Sequence, residues 1–216
     1  MKSNLAIIQA RSSSRRLPGK VLLPIMNLPM IIYQLNRVNR SKLLDRIIVA
    51  TSSDPSDDNL CEILKSNNFS YFRGKLDDVL NRFAECAKNE NYSTIIRLTG
   101  DCPLSDPLLI DEAIEEFNRS DCNYLGNGVD DKKLSVPDGF DIEVFDSEIL
   151  FKADLEASLP SEREHVTPWI REKKSGALCK HFIHSKFRKF YRVTVDDKND
   201  YKVITQTINS LHPKNP

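Results

Sequence analysis

Arg11, Arg16 and Lys20 fall in one short stretch, Gln9-Ala10-Arg11-Ser12-Ser13-Ser14-Arg15-Arg16-Leu17-Pro18-Gly19-Lys20, whose composition suits the holding of an anion. Guanidinium groups bind phosphate oxygens in bidentate fashion, and a lysine acts as a point charge. Ser12, Ser13 and Ser14 have small side chains, so their backbone can approach a ligand closely while their hydroxyls donate. A solvated basic loop is the plainer reading of the same residues. Two aspartates are the complementary group: Asp101 follows Leu98-Thr99-Gly100, and Asp196 follows Val193-Thr194-Val195. Carboxylates at strand ends beside a phosphate loop are hard oxygen ligands suited to Mg²⁺. Each would serve equally as the cap of its own turn, where aspartate is common.

The elements that must position these residues read as alternating strand and helix. Leu5-Ala6-Ile7-Ile8 has the length and composition of a buried strand, and it empties into the basic loop. Open α/β sheets place nucleotides at such a strand end. Pro29 is expected at the first position of a helix with Ile31, Leu35 and Val38 inward. Strands are expected at 46–51, 70–74 and 94–98. Helices should follow with Leu60, Ile63 and Leu64 inward, then Leu76, Leu80, Phe83 and Ala87, then Ile110, Ala113, Ile114 and Phe117. Asp57 and Asp58 open the first of these, and Asp106-Pro107 caps the last. That alternation predicts an α/β fold: a mostly parallel, Rossmann-like central sheet with helices on both faces. From about residue 120 it breaks. Residues 124–137 read as irregular, 139–145 as an alternating strand, Ser161 to Glu164 as a capping box, and 190–196 as a last strand. Asp200 is expected to cap a terminal helix with Ile204, Ile208 and Leu211 inward.

At 216 residues the chain fits one domain, with a nucleotide-binding half over 1–118, an arm over about 120–190, and a returning strand and helix over 190–211. A chain of that size buries roughly 70% of its unfolded surface without staples. Lysine plus arginine equals aspartate plus glutamate at 31 each, which excludes a general nucleic-acid binder. Five cysteines, odd in number and without a C-x-x-C pair, read as reduced thiols in the cytosol. His181 and His184 lack further ligands at zinc spacing. No apolar run approaches the roughly 20 residues of a membrane span. Met1 to Asn4 leads straight into the first strand, leaving no room for a signal peptide.

Ala10-Arg11-Ser12-Ser13-Ser14-Arg15-Arg16-Leu17-Pro18-Gly19-Lys20 resembles the A-R-x-x-S-x-R-L-P-G-K nucleotide loop of the sugar-acid cytidylyltransferases, which make CMP-activated 3-deoxy-octulosonate and sialic acids. Ile7-Ile8-Gln9-Ala10-Arg11 brings it nearest the spore coat polysaccharide F-type branch; octulosonate enzymes carry proline where Gln9 stands. Neither G-x-x-x-x-G-K-[ST] nor G-x-G-x-x-G occurs. The resemblance implies that Asp101 and Asp196 hold the metal, with Asp197 as a neighbour able to share the role. It implies a nucleotide site built from Gln9 to Ser14, Arg16, Lys20, Thr99 and Gly100. The cytosine pocket is expected at Thr51, Ser53, Arg73, Asp78 and Arg82, within and beside the branch's F-R-G-x-x-D-D-V-L-x-R-F segment at 72–83. An ion pair between Asp78 and Arg82 at i, i+4 is the plainer alternative there. The acceptor is expected at Asp138, Asp141, Glu143, Arg163 and His165, from the matches to P-D-G-x-D-x-E-V-F and R-E-H-V-T-P. Strand spacing puts Asp141 and Glu143 on one face; a satisfied core histidine is the alternative for His165.

The function so implied is a Mg²⁺-dependent cytidylyltransferase that transfers CMP from CTP to a sugar acid and releases pyrophosphate, acting as a homodimer. Two rivals remain at this level. A glycosyltransferase shares the nucleotide-binding half of this fold, and a non-catalytic nucleotide-binding scaffold would keep Arg11 and Lys20 while lacking competent metal carboxylates.

Overall fold

The computed structural model describes residues 3–127, 136–184 and 191–211. β1 (Asn4–Gln9) leads through the basic loop to a minimal hairpin, β2 (Pro24–Ile25) with β3 (Leu28–Pro29). Then come α1 (Met30–Val38), β4 (Arg46–Ser52), α2 (Asp58–Ser66), β5 (Ser70–Gly74), α3 (Val79–Glu90), β6 (Thr94–Thr99) and α4 (Pro107–Arg119). The second half supplies β7 (Tyr124–Gly126), β8 (Glu143–Asp146), α5 (Ser147–Glu156), α6 (Pro160–His165), α7 (Pro168–Arg171), β9 (Cys179–His181) and α8 (Lys198–Leu211).

Among the described residues seven strands form one sheet in the order β5-β4-β1-β6-β8-β7-β9. β1 runs parallel to both β4 and β6, and β4 is parallel to β5. β8 pairs antiparallel with β6 and β7, and β9 returns parallel to β7. The expected alternation of strand and helix therefore holds through α4, and the antiparallel strands begin where it breaks. Strand order reverses at β1, with β4 and β5 on one side and β6 on the other. Such a switch point leaves a crevice beyond the strands' carboxyl ends.

Period-two alternation divides the apolar residues between two cores. Ala6 and Ile8 of β1, Val49 of β4 and Ile96 and Leu98 of β6 face α1, α2 and α4. Leu5 and Ile7, Ile48 and Ala50, and Ile95 face α3, α5 and α7. A third cluster joins Leu17 of the basic loop and Ile25 of β2 to Val195, Ile204 and Ile208, so α8 is packed directly against the loop. Tyr201 Oη donates to the Pro24 carbonyl at 2.6 Å and fixes the same contact.

Several local expectations change. Pro29 precedes α1 as its cap residue. Leu76 lies before α3, which starts at Val79 with Asp78 accepting from Asn81 N–H at 3.1 Å. Residues 124–126 pair as β7, and 128–135 lie outside the described residues. The strand expected over 139–145 is paired only from Glu143, because Gly139 turns with φ of 108°. α6 begins two residues earlier than the capping box implied: Glu162 accepts from Leu159 and Ser158 N–H, each at 3.0 Å, and Ser161 lies inside the helix. No strand forms over 191–196. Residue 190 lies outside the described residues, and the segment touches the fold's β structure through one bridge, Asp138 with Arg192. Asp197, rather than Asp200, accepts from the first-turn N–H groups of α8, Asn199 at 2.7 Å and Asp200 at 3.0 Å.

Candidate active site

The basic loop is held at both ends by backbone and from beneath by an aspartate. Gly19 N–H donates to the Ser12 carbonyl at 2.8 Å, closing the loop, and Ser12 N–H donates to Asp57 Oδ1 at 2.7 Å. The second Asp57 oxygen accepts from the Ser52 peptide at 3.1 Å and from the Ser52 hydroxyl. Asp57 is fully buried. Burial works against its charge, yet the donors of Ser12 and Ser52 hold its carboxyl below the usual range. One carboxylate thus locks the β1 loop to the end of β4. The sequence reading treated Asp57 as an ordinary first-turn acid and missed this.

Opposite, β6 ends at Thr99 and Gly100 makes the turn. A side chain at Gly100 would meet Ala10 Cβ at 2.9 Å and the Gln9 carbonyl at 3.0 Å, so glycine lets the two strand ends close together. Gly100 N–H donates to that Gln9 carbonyl at 2.8 Å. The Asp101 carbonyl then accepts from Val195 N–H at 2.8 Å, which brings the returning segment and Asp196 alongside.

At this junction the Lys20 ammonium is enclosed. It donates to Asp101 Oδ2 at 2.9 Å, to Asp196 Oδ1 at 3.0 Å and to the Val195 carbonyl at 2.8 Å. Arg16, largely exposed, reaches Asp196 Oδ1 at 2.8 Å, and Arg192 holds the other oxygen of Asp196. Burial would raise the Asp101 pKa, but the Lys20 charge and hydrogen bond, with Thr99, bring it below the usual carboxylate value. The two aspartates expected to share a site do so. Lys20 was expected to grip a triphosphate; here all three of its N–H donors are spent on the aspartate pair and Val195.

These groups line a cleft of about 370 Å³. Gln9, Ala10, Arg11, Ser14, Arg16, Lys20, Thr99 and Gly100, expected at the nucleotide, form its walls with Asp101 and Asp196, expected at the metal, and His165 closes it from α6. Ser12 and Ser13 do not: the Ser12 N–H is held by Asp57 while its hydroxyl is buried without a partner, and Ser13 is exposed outside the cleft. Asp197 is occupied as the cap of α8.

The expected cytosine-reading set divides. Thr51 is buried at the end of β4, and Ser53 is pinned to the Gly74 carbonyl by its N–H (2.8 Å) and hydroxyl (2.9 Å). Arg73 is fully engaged by the Ser52 and Asp54 carbonyls and the Asp58 carboxylate, at 2.8, 2.9 and 2.7 Å. Asp78 binds not Arg82 but Arg163, through two bonds of 2.9 and 2.8 Å. Arg163 also donates to the Asp154 carbonyl at 2.7 Å and its carboxylate at 2.8 Å, so this arginine ties α3, α5 and α6 together, and it lines a separate cavity with Arg11 and Asp78 rather than the one that holds Asp141 and Glu143. Arg82 is the exception. It is fully buried, donates through Nη1 to the Lys75 carbonyl at 2.8 Å, and has no hydrogen-bond partner for Nε or Nη2. Burial, reinforced by the nearby charge of Arg11, pulls its pKa down to about 10.

A second cavity of about 300 Å³ shares Arg97, Thr99 and His165 with the first. Asp141, Glu143, Thr167 and Arg171 complete it. Asp138, expected there, is instead exposed and paired with Arg192 at 3.1 Å. His165 is exposed at the mouth of both cavities rather than packed in the core. Arg97 was missed by the sequence reading, although an arginine inside an otherwise apolar central strand was the available signal. It bonds Glu143 and reaches Gln9 Oε1 at 3.2 Å.

The sequence model of the cytidylyltransferase family matches residues 5–209, which spans the loop, both aspartates and both cavities. The chain belongs to that family. It is therefore a nucleotidyltransferase-type enzyme. It is 37% identical over 224 residues to the spore coat polysaccharide biosynthesis protein SpsF of Bacillus subtilis, covering 99% of this chain and 88% of that one. A cytidylyltransferase structure from Leptospira borgpetersenii superposes with a TM-score of 0.90 at 33% identity, covering 97% of this chain and 88% of that one. The 3-deoxy-manno-octulosonate cytidylyltransferase of Geobacter sulfurreducens is 34% identical over 128 residues, 56% of this chain and 48% of its own. The resemblance read from the loop motif is confirmed, and so is the fold class. Among the described residues no helix is long and apolar enough to cross a membrane.

Proposed function

We propose that this cytidylyltransferase transfers CMP from CTP to a sugar acid, with release of pyrophosphate, in the making of a surface or coat polysaccharide. The observation that carries the reading is the enclosure of Lys20 by Asp101 and Asp196 at the switch point, flanked by Arg11 and Arg16 in a cleft that shares Arg97, Thr99 and His165 with a second, polar cavity. The relatives that act on octulosonate support an acidic sugar as acceptor.

Arg11 and Arg16 would clamp phosphate oxygens, and Lys20 would meet the negative charge that grows on the leaving pyrophosphate. To do so Lys20 must leave the aspartate pair. The donor set fits a divalent cation: two hard carboxylates converge on one point, which in this structure a positive ammonium holds. Among the described residues no group of three or more protein ligands is gathered, so the site suits an ion that arrives with phosphate oxygens to complete its shell. Asp101 and Asp196 would hold Mg²⁺, which supplies charge neutralisation at the α-phosphate. The chain's remaining work is orientation: Arg97 and His165 stand between the two cavities, where acceptor and α-phosphorus must meet. Homodimerisation is proposed on the resemblance, and the exposed apolar residues Leu178 and Ile183 beside edge strand β9 favour it.

The test mixes the protein with Mg²⁺, each of the four nucleoside triphosphates and a panel of sugar acids, and measures pyrophosphate. Release with CTP and an acid is expected. Sugar transfer from a nucleotide donor would instead establish a glycosyltransferase, and binding without turnover a scaffold.

A further inference from the structure

Two carboxylates line the second cavity, two residues apart in sequence, and their surroundings are opposite. Glu143 accepts from Arg97, from the Tyr124 hydroxyl at 2.5 Å and from the Thr167 hydroxyl at 2.6 Å. Burial would raise its pKa, but Arg97, Thr167 and Tyr124 overcome that and hold it below the usual glutamate value. Glu143 is therefore a carboxylate whose oxygens are held by three donors. Asp141 accepts from Gly139 N–H at 3.0 Å, and no salt bridge to it occurs among the described residues. Burial, together with the Asp138 and Glu143 carboxylates, pushes its pKa up. Paired carboxylates whose environments separate their proton affinities divide into a fixed charge and a proton carrier.

We propose that Asp141 is the general base of the transfer: it takes the proton of the acceptor hydroxyl as that oxygen attacks the α-phosphorus of the nucleotide. This rests on the reading given above and extends it to the one group that reading left without a candidate. The acceptor O–H bond breaks and its proton passes to an Asp141 carboxylate oxygen. The O–P bond forms as the bond from phosphorus to the bridging oxygen breaks, and that electron pair leaves on pyrophosphate. Position favours Asp141. It lines the acceptor cavity, which shares Arg97, Thr99 and His165 with the nucleotide cleft. Glu143 cannot serve, since its oxygens are already occupied by three donors.

The ionisable groups facing Asp141 are Asp138, backed by Arg192, in its own turn; Glu143 in β8; Arg97 in β6; and Cys102 beyond β6. His165 and Arg171 face it from α6 and α7. Of these His165 is the rival base, and the test must separate the two.

Asp141→Asn keeps the oxygen that accepts from Gly139 N–H, so the turn is retained. With CTP, Mg²⁺ and the acid found by the panel, kcat of Asp141→Asn should fall about 10²–10⁴-fold while KM for CTP stays within about threefold of the wild-type value. The wild-type kcat should rise with pH as Asp141 ionises, and that acid limb should vanish in Asp141→Asn. Asp141→Ala should regain activity with added formate. His165→Asn should keep the acid limb, which tests the assignment even where Asp141 variants fold badly. Wild-type-like kcat in Asp141→Asn, or loss of the limb in His165→Asn, overturns the proposal alone. Absence of turnover by the wild-type protein with every acid overturns it together with the reading it rests on.

Discussion

Lys20 and Asp101 stand 81 positions apart in the chain and meet at 2.9 Å between Nζ and Oδ2. An ammonium has three protons to donate, and the other two go to Asp196 and the Val195 carbonyl. The lysine therefore occupies the point where two carboxylates would bind a divalent ion, and the ammonium and the metal compete for it.

Replacing Lys20 by methionine should consequently have two opposite effects. Turnover should fall roughly 10²-fold, because charge developing on pyrophosphate loses its partner. Mn²⁺ binding without nucleotide should tighten about tenfold or more, because like charges left together favour a cation. Calorimetric titration with Mn²⁺ reads this directly, and equal or weaker binding would show that the ammonium is no competitor. The variant should also lose roughly 1–3 kcal/mol of stability, since two partly buried carboxylates lose a donor.

Asp101→Asn and Asp196→Asn should each remove most metal-dependent pyrophosphate release. Both carboxylates act on one point, so the double variant should be little slower than either single one. Multiplicative losses in the double variant would mean two independent sites.

Asp57 carries no chemistry of its own but sets the loop that does. Asp57→Ala orphans the Ser12 and Ser52 peptide donors and should cost roughly 2–3 kcal/mol, a fall in Tm of about 4–12 °C for a chain of this size. The folded-state pKa is depressed, so this stabilisation is complete above the unfolded value of about 4 and is lost as pH falls through the lower folded value. Thermal melts from pH 7 to 3 should show wild type and variant converging in acid. A constant difference across that range would remove the carboxylate from the account.

Which parts of this were legible beforehand follows from how local the signal is. Period-two alternation in β1, β4 and β6 and the cap at Asp106 are written in neighbouring residues. The loop motif carried Arg11, Arg16 and Lys20 to the cleft for the same reason. What the chain does not announce is which distant partner claims a charge. Arg163 and Asp78 lie in separate motifs, and only the packing of α6 on α3 turns them into a structural pair. Asp57 reads as a helix-opening acid until the Ser12 loop is folded over it. The segment bearing Asp196 has a strand's composition, but it is held by the Asp101 carbonyl and by α8, and so it never joins the sheet.

Arg82 is where function and stability should part. Its guanidinium is fully buried, with Nε and Nη2 unpartnered and its pKa pulled down to about 10, so the charge works against its surroundings at neutral pH. Such a group makes sense beside a ligand that supplies acceptors. Cytosine presents O2 and N3 as acceptors, whereas uracil carries a proton on N3 that would oppose a guanidinium N–H. A mismatch of that kind leaves buried polar groups unpaired at roughly 1–3 kcal/mol, enough for CTP to exceed UTP by more than tenfold in kcat/KM. Replacing Arg82 by methionine removes an unpaired buried charge while keeping most of its volume. The Tm should therefore hold or rise, as happens when buried ionic groups give way to apolar ones. CTP affinity should fall by about tenfold, and the preference over UTP should shrink toward unity. Parallel melting curves and kinetics with the two nucleotides check both halves. A marked loss of stability would make Arg82 a structural residue, and an undiminished CTP preference in a stable variant would move base recognition to other residues.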